Sequence, residues 1–289
     1  MIWGCRGSLP TPGETTVHYG GNTSCVEIRT SDGGRLILDA GTGIKQLGAS
    51  LERGSPIHLL LTHLHLDHVE GLRFFDPLWH PETELHIWGP PSPLYSLEER
   101  IARAVSPPLF PLELSDSPAQ VVFHDVPEDE WELEGVKILA LPVSHPGPTL
   151  GYRFGLNGSS LAYIPDHEPV LGLEIADLEP DWISGHALAE GVDVLLHDGQ
   201  FTESEYSTRV GWGHSSVTHA VDFALRSEVG RLVLFHHDPD RTDDGVERLV
   251  ERAGELWDGA TRTPPVAAHE GMTIDLRQAA RGGEASRTS

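Results

Sequence analysis

The sequence predicts an α/β fold with a site assembled at the ends of its strands. Short segments of apolar, β-branched and aromatic residues recur along the 289-residue chain, and turns rich in Gly, Pro and Asn separate them. Apolar residues with helical spacing follow several of these segments, as at Ile44, Leu47 and Leu51. Several strands then end in His or Asp, which is typical of α/β proteins because they build sites from strand ends distant in sequence.

The N-terminal part predicts an antiparallel meander, then a helix and further strands. Asp32-Gly33-Gly34 has the composition of a hairpin turn between two alternating segments. Asp39 stands at the end of the second segment, before glycines that allow a tight turn into the helix at 44–51. The strands predicted here begin with one at Ile2 and continue with 24–29, 35–39, 57–62 and 85–88.

A proline-rich excursion follows near residues 90–120, where seven prolines surround one short helix predicted near 96–104. This composition is more typical of a lid or a substrate-shaping segment than of a second domain. Leu109 and Phe110 could cover a site from this excursion, although packing into the interior is the simpler expectation for both.

The C-terminal part repeats strands and helices. Ser216 and Thr242 are predicted to cap two helices, whose apolar faces begin at Val217 and Val246. We expect a single domain over residues 1–277 and a disordered tail over 278–289. The strands predicted here are 121–124, 131–133, 136–141, 151–154, 160–164 after a turn at Asn157-Gly158, 192–198, 231–235 and a final strand at 272–276.

Composition limits the classes of partner. The chain has 44 acidic against 20 basic residues and a formal charge of −24, which repels a nucleic-acid backbone, so long RNA or DNA is disfavoured and a small substrate is expected. Cys5 and Cys25 are its two cysteines, which fits a reduced cytosolic protein. No segment resembles a signal peptide or a membrane span. We therefore expect a soluble, cytoplasmic protein with no membrane partner, and a homodimer stays open.

The segment Leu59 to His68 carries the strongest chemical signal. An apolar run of strand composition ends in His63, His65, Asp67 and His68, and these groups would be costly to desolvate without a cation. Neutral imidazoles and carboxylates suit Zn²⁺, Mn²⁺ or Fe, whereas a closed structural zinc site would use cysteine. Because His63 and His65 point the same way in an extended segment and the next ligands turn away, the spacing predicts ligands for two adjacent ions.

This segment resembles the His-x-His-x-Asp-His signature of the metallo-β-lactamase fold superfamily. The resemblance implies a four-layer αββα sandwich with two divalent metal ions. It assigns His63 and His65 to one ion, and Asp67 and His68 to the other.

The resemblance extends over nearly the whole chain and supplies the remaining ligands. It implies that His145 completes the first site, that Asp166 bridges both ions, and that His236 joins the second site, with His237 as an alternative. Asp39 would support the site from behind the ligands, although a turn or capping role is the simpler alternative for it.

A further pair of residues resembles the phosphodiesterase branch of the superfamily, which includes tRNA 3′-processing endonucleases and the carbon-phosphorus-lyase phosphodiesterase. There, a carboxylate at a strand end orients a histidine that protonates the leaving oxygen. Asp198 and His214 match these positions, with Asp here where the branch usually has Glu. His214 could instead be an ordinary residue at a helix N-terminus, where the helix dipole would depress its pKa. Asp67, Asp198 and His214 are thus the candidate catalytic residues.

These features together predict a dinuclear metal-dependent hydrolase, with Zn or Mn as the metal and Fe as a further option. A shared anion lowers the repulsion between two cations roughly 3.5–4 Å apart, and a bridging hydroxide would serve as the nucleophile. The expected activity is phosphodiester hydrolysis of a small substrate or a cyclic nucleotide. The alternatives are a tRNA 3′-endonuclease-like RNase, a lactone, lactam or thioester hydrolase, and a non-enzymatic binding protein.

Overall fold

Two β-sheets face each other, and helices cover the outer face of each. The computed structural model describes residues 1–52, 54–257 and 263–276. The first sheet contains, in this order, β1 (Ile2–Gly4), β2 (Cys25–Arg29), β3 (Arg35–Leu38), β4 (Ile57–Leu60), β5 (Glu84–Gly89) and β6 (Gln120–Asp125). Neighbours are antiparallel from β1 to β3 and parallel from β3 to β6, so the predicted N-terminal meander is confirmed.

The second sheet is likewise antiparallel at one end and parallel at the other. It contains β7 (Trp131–Leu133), β8 (Val136–Pro142), β9 (Leu150–Leu156), β10 (Ser159–Ile164), β11 (Val194–Asp198), β12 (Leu232–Phe235) and β13 (Val266–Ala267). Strands β7 to β10 are antiparallel, whereas β10 to β13 are parallel. The predicted turn between β9 and β10 is confirmed at Asn157 and Gly158, whose φ angles of 53° and 80° are those of a tight hairpin.

The helices lie mostly in the connections between strands. They are α1 (Ile44–Ser50), α2 (Leu66–Val69), α3 (Leu97–Ala102), α4 (His186–Ala189), α5 (Glu203–Tyr206), α6 (Val217–Arg226) and α7 (Asp243–Leu256). Shorter 3₁₀ turns occupy Glu14–Thr16, Leu72–Phe74, Asp76–Trp79, Leu114–Asp116, Ile175–Asp177 and Pro180–Trp182. Ser216 and Thr242 cap α6 and α7 through their side chains, as predicted. Among the described residues, none of the helices combines the length and apolar character needed to cross a lipid bilayer.

Successive side chains of each strand point to opposite faces of its sheet, which gives the fold its layers of sheets and helices. In β3, Leu36 and Leu38 pack into the interior between the sheets with Tyr152, whereas Ile37 packs outward with α1 and α3. On the other sheet, Leu195 packs outward against α6. Each sheet therefore buries both faces, one against the other sheet and one against helices, which is the predicted four-layer αββα order.

One predicted strand is wrong. Residues 272–276 alternate like a strand, but they form no ladder in the structure, and the last strand is instead β13, parallel to β12. Met272 and Ile274 alternate because they pack onto the interior cluster, while the chain makes backbone hydrogen bonds to Ile2 only around Gly271 and Met272. Side-chain burial alone therefore produced the pattern. The tail predicted to be disordered, 278–289, lies outside the described residues.

Candidate metal centre

The strand ends predicted to carry functional groups meet at one edge of the two sheets. The segment after β4 carries His63 to His68, and Asp166 follows β10. Asp198 is the last residue of β11, and His236 follows β12 directly. Parallel neighbours place their carboxyl ends on the same side, so residues far apart in sequence come together there.

Among the described residues, four overlapping groups of ligand-type side chains form at this edge; two of them include His214, and the other two consist of the predicted ligands. In each, the potential ligand atoms lie within 4.8 Å of one another. Helix α2 starts at Leu66, which turns Asp67 and His68 away from His63 and His65. The first group is His63, His65 and His145, and the second is Asp67, His68, Asp166 and His236.

Asp166 lies between the two groups. Its Oδ2 is 3.7 Å from Nε2 of both His63 and His145 in the first group. In the second group, its Oδ1 is 3.0 Å from His68 Nε2 and its Oδ2 is 3.3 Å from His236 Nε2. One carboxylate thus reaches both groups.

Protein partners fix the orientation of the imidazole rings. His145 Nδ1 donates to the Gly213 carbonyl at 2.7 Å, and His236 Nδ1 donates to Gln200 Oε1 at 3.2 Å. Each bond leaves Nε2 of the same ring to face the cluster. Such partners hold a ring in place and raise its basicity as a ligand.

Asp39 orients two further rings. Its Oδ2 accepts from His68 Nδ1 at 2.8 Å, and both of its oxygens accept from the Thr62 hydroxyl at 3.0 Å. Because the Thr62 proton is used in this way, its oxygen accepts from His63 Nδ1 at 3.0 Å. Tyr163 also donates to Asp39 at 2.9 Å. Asp39 therefore acts on the cluster rather than serving only as a turn or cap residue.

The cluster has the chemistry of a divalent cation site. Three of the described side-chain atoms that are buried without a hydrogen bond belong to it: His63 Nε2, His68 Nε2 and Asp166 Oδ1. The last two lie 3.0 Å apart as an ion pair, but not in hydrogen-bonding geometry. Burial lowers the pKa of His145 to about 4, so its ring is neutral and keeps a lone pair. Burial also favours a neutral His68, but Asp166, Asp67 and Asp39 outweigh it and raise the pKa of His68 well above the usual value. These residues fit divalent cations, since the surplus negative charge calls for a positive ion.

The structure separates His236 from the alternative His237. His236 Nε2 lies 3.1 Å from Asp67 Oδ2 within the cluster. His237 is buried on the other side of the chain, where its Nε2 donates to the Ala268 carbonyl at 2.9 Å. Of the two, only His236 faces the cluster.

Asp198 and His214 form a pair beside the cluster. Asp198 is fully buried, and its Oδ2 accepts from His214 Nδ1 at 2.7 Å, so the shorter carboxylate still reaches the ring. The expected depression of the His214 pKa by a helix end is wrong. Burial does lower the pKa, but Asp198, with help from Asp166 and Asp67, outweighs burial and raises it to about 9. A direct carboxylate contact thus exceeds the effect of the α6 dipole.

Some residues that hold the site were not found from the sequence. The Ser8 N–H donates to Asp67 Oδ2 at 2.7 Å. Glu168 is fully buried and accepts from the Gly211 and Gly213 N–H groups at 2.8 to 3.0 Å, which fixes the loop that leads to His214. Nothing in the local pattern marks Ser8, but a glutamate two residues after Asp166 in a buried segment is a usable signal.

The proline-rich excursion connects the parallel strands β5 and β6. Phe110 packs against Trp79 and Phe74, as predicted by its expected packing role. For Leu109 the packing expectation is wrong, because its side chain is 65% exposed and shares a surface pocket with Leu64 and Leu66. The excursion therefore approaches the segment that carries His65.

The facing sheets, the outer helices and the His/Asp cluster at the shared edge define the metallo-β-lactamase fold. The family model for the β-lactamase superfamily domain matches residues 34–237, and the chain belongs to this superfamily. The resemblance drawn from the motif is thereby confirmed.

The chain is similar over nearly its whole length to several proteins that carry enzyme names. Ribonuclease Z of Porphyromonas gingivalis is 27% identical over 321 residues, covering 95% of this chain and 98% of that protein. Human tRNase Z, short form, is 21% identical with a TM-score of 0.62, covering 96% and 98% of the two chains. A diphosphatase of the PhnP family is 20% identical with a TM-score of 0.66, covering 96% and 97%. The chain is thus a metal-dependent hydrolase of the metallo-β-lactamase fold.

Proposed function

We propose that this protein is a phosphodiesterase with a dinuclear metal centre and a small phosphodiester or cyclic nucleotide as substrate. The observation that carries the proposal is the Asp198–His214 pair beside the two ligand groups. A protonated imidazole serves a phosphodiester because the oxygen that leaves phosphorus develops negative charge as its bond breaks. A lactone also expels an alkoxide, so the substrate panel below separates these two classes.

The ligand groups divide between two ions. His63, His65 and His145 would hold one, and Asp67, His68 and His236 the other, with Asp166 shared. Divalent ions in such a site polarise phosphoryl oxygens and lower the pKa of water. Zn and Mn suit this mixture of imidazole and carboxylate, and Fe is compatible with it.

His214 is the proposed general acid. Its pKa of about 9 keeps the ring protonated at neutral pH, with Nδ1–H held by Asp198 and Nε2–H as the remaining donor. Cations in the cluster would offset Asp166 and Asp67, but they would leave the 2.7 Å contact with Asp198 in place. Water adds to phosphorus, the phosphorus–oxygen bond to the leaving group breaks, and the Nε2 proton passes to the leaving oxygen. The proton lost by the water then restores the imidazolium.

Processing of a tRNA 3′ end is the second candidate, and the ribonuclease Z relatives favour it. The formal charge of −24 argues for a small substrate instead, because each phosphate approached by a long RNA adds repulsion. We therefore place the cytoplasmic, small-molecule function first. The intact ligand groups weigh against a purely binding role.

A substrate panel tests the proposal. Protein purified without chelator is assayed with Zn²⁺ and Mn²⁺ on bis-p-nitrophenyl phosphate, a cyclic nucleotide, a lactone and a precursor tRNA. We expect turnover of the small phosphodiesters and about two ions per chain. Asp67→Ala should abolish turnover, and His214→Ala should reduce it by about 10²–10⁴-fold on an unactivated ester. His18→Ala replaces an exposed histidine and serves as the matched control.

Fewer than one ion per chain would contradict the dinuclear centre. Full activity of His214→Ala on an unactivated ester would remove the general-acid role, and preferential cleavage of the precursor tRNA or the lactone would replace the proposed substrate.

A further inference from the structure

A pocket of about 310 Å³ opens beside His214, on the side of the proposed general acid. Because His214 would give its proton to the leaving oxygen, a group bound here is the one released by the reaction. The residues that give this pocket its chemistry are Phe201, Arg209, Trp212, His214, Asp238 and Asp240.

Trp212 is exposed but held on an anchored loop. Its side chain is 60% exposed. On either side of it, the N–H groups of Gly211 and Gly213 donate to the buried Glu168, and the Trp212 N–H donates to the Arg209 carbonyl at 3.0 Å. A large apolar ring on a fixed loop offers a stacking surface at little cost in entropy.

Arg209 supports this surface from one side. Its guanidinium lies over the rings of Phe201 and Trp212, 5.0 Å and 5.8 Å from their centroids. A planar ligand ring placed on the rest of the Trp212 face would extend this stack, since aromatic rings and guanidinium planes stack readily.

Two carboxylates, those of Asp238 and Asp240, also line the pocket, and their segment is held in place. The Asp240 N–H donates to Asp238 Oδ1 at 2.9 Å, and the buried Arg6 binds the Asp238 carbonyl at 3.2 Å. These carboxylates can accept hydrogen bonds from hydroxyl or amino groups. They would repel a further phosphate on the same ligand.

We propose that this pocket binds the leaving group of the substrate, and that it selects a nucleoside whose base stacks on Trp212 and which carries no second phosphate. The proposal rests on the phosphodiesterase function proposed above and names its substrate class. It explains how a strongly acidic protein can act on a nucleotide ester while rejecting a polynucleotide.

Adenosine 5′-(methyl phosphate) tests the pocket by internal competition, because either of its two ester bonds can break. Nucleoside in the pocket gives adenosine and methyl phosphate, whereas methanol in the pocket gives AMP. We expect adenosine to exceed AMP at least about fivefold. Trp212→Ala should reduce this ratio by roughly 5- to 150-fold, the range for one base stacked on an aromatic ring.

Two variants serve as controls. Trp212→Phe keeps a stacking face and should retain most of the preference. Trp182→Ala removes another exposed tryptophan, 78% exposed and outside the pocket, and should leave the ratio unchanged. A ratio near one in the wild type, or no change with Trp212→Ala, would overturn the proposal while the phosphodiesterase function stands.

Binding separates the two proposals if neither ester bond is cut. Calorimetric titration with adenosine should show binding to the metal-replete protein that weakens at least about fivefold in Trp212→Ala. Binding of this kind without hydrolysis would support the pocket and contradict the phosphodiesterase. Equal binding by both proteins would contradict the pocket. A 3′-phosphate on the adenosine should weaken binding several-fold at low salt, and Asp240→Asn should relieve part of that loss.

Discussion

Substitution of Glu168 tests the general-acid role of His214 most directly. Glu168 does not contact His214 but holds the loop that carries it. Its Oε2 accepts from the Gly213 N–H at 2.8 Å and its Oε1 from the Gly211 N–H at 2.9 Å. Tyr206 also donates to Oε1, at 2.8 Å. These bonds hold the loop from which His214 extends.

Glu168→Leu keeps the volume and removes the acceptors. Tyr206 keeps the Val170 carbonyl at 3.3 Å as a partner, but the N–H groups of Gly211 and Gly213 lose theirs. The Gly213 N–H is buried, and leaving it unsatisfied costs about 1–3 kcal/mol, whereas Gly211 is exposed and its N–H can turn to water. We therefore expect the closed loop to lose about 2 kcal/mol and to open to solvent instead. A loss of 2 kcal/mol corresponds to about 30-fold in population.

Glu168→Gln gives the matched comparison. Its amide oxygen at the Oε2 position can still accept from both Gly211 and Gly213, while the NH₂ group donates to Tyr206, whose proton turns to Val170. This variant loses charge but leaves no donor unsatisfied, so we expect a loss of less than about tenfold.

The assay compares leaving groups. Adenosine 5′-(methyl phosphate) releases an alkoxide and needs the acid, whereas bis-p-nitrophenyl phosphate releases a stabilised anion. Glu168→Leu should lose between about 30-fold and 10⁴-fold in kcat on the first substrate and less than about threefold on the second. Because the Gly213 carbonyl also orients His145, metal affinity should fall modestly, so both substrates are assayed at saturating metal. Glu190→Gln, at an exposed position, is the control. Equal losses on both substrates would refute the positioning role.

Three further predictions concern Asp166 and Asp39 in the metal site and His124 on β6 of the first sheet. Asp166→Ala should reduce bound metal from two ions per chain to one or fewer, measured by mass spectrometry, and two retained ions would contradict its shared role. Asp39→Asn weakens the bond that orients His68 and should lower metal affinity about 10- to 100-fold in a chelator competition; an unchanged affinity would oppose this. Burial and the neighbouring His86 lower the pKa of His124 in the folded protein. In the unfolded chain His124 takes up a proton near its usual pKa of about 6.5, while the folded protein does not. The free energy of unfolding therefore falls as the pH drops through about 6.5. His124→Phe should make the fall in urea stability between about pH 7.5 and about pH 5.5 shallower, and an identical slope would contradict the assignment.

Local patterns were sufficient for most of the fold. The alternation of Leu36 to Leu38 and the turn at Asn157-Gly158 are properties of adjacent residues, so they can be recognised without knowing the partners. The alternating pattern at 272–276 wrongly predicted a strand, because a chain segment can bury alternate side chains without pairing with a neighbouring strand. Ladder pairing depends on where the rest of the chain lies.

The sequence by itself determined which ligand-type residues this protein has and that they follow strands, since His63 to His68, Asp166 and His236 stand beside apolar segments whatever the tertiary structure. Only the tertiary structure decided that Asp166 lies between two groups, that His236 and not His237 faces them, and that Glu168 holds the loop of His214. These are distances between segments separated by up to about 170 residues in sequence. The physical reason is that hydrogen bonds and charges act over a few ångströms, and only the folded sheets bring such segments that close.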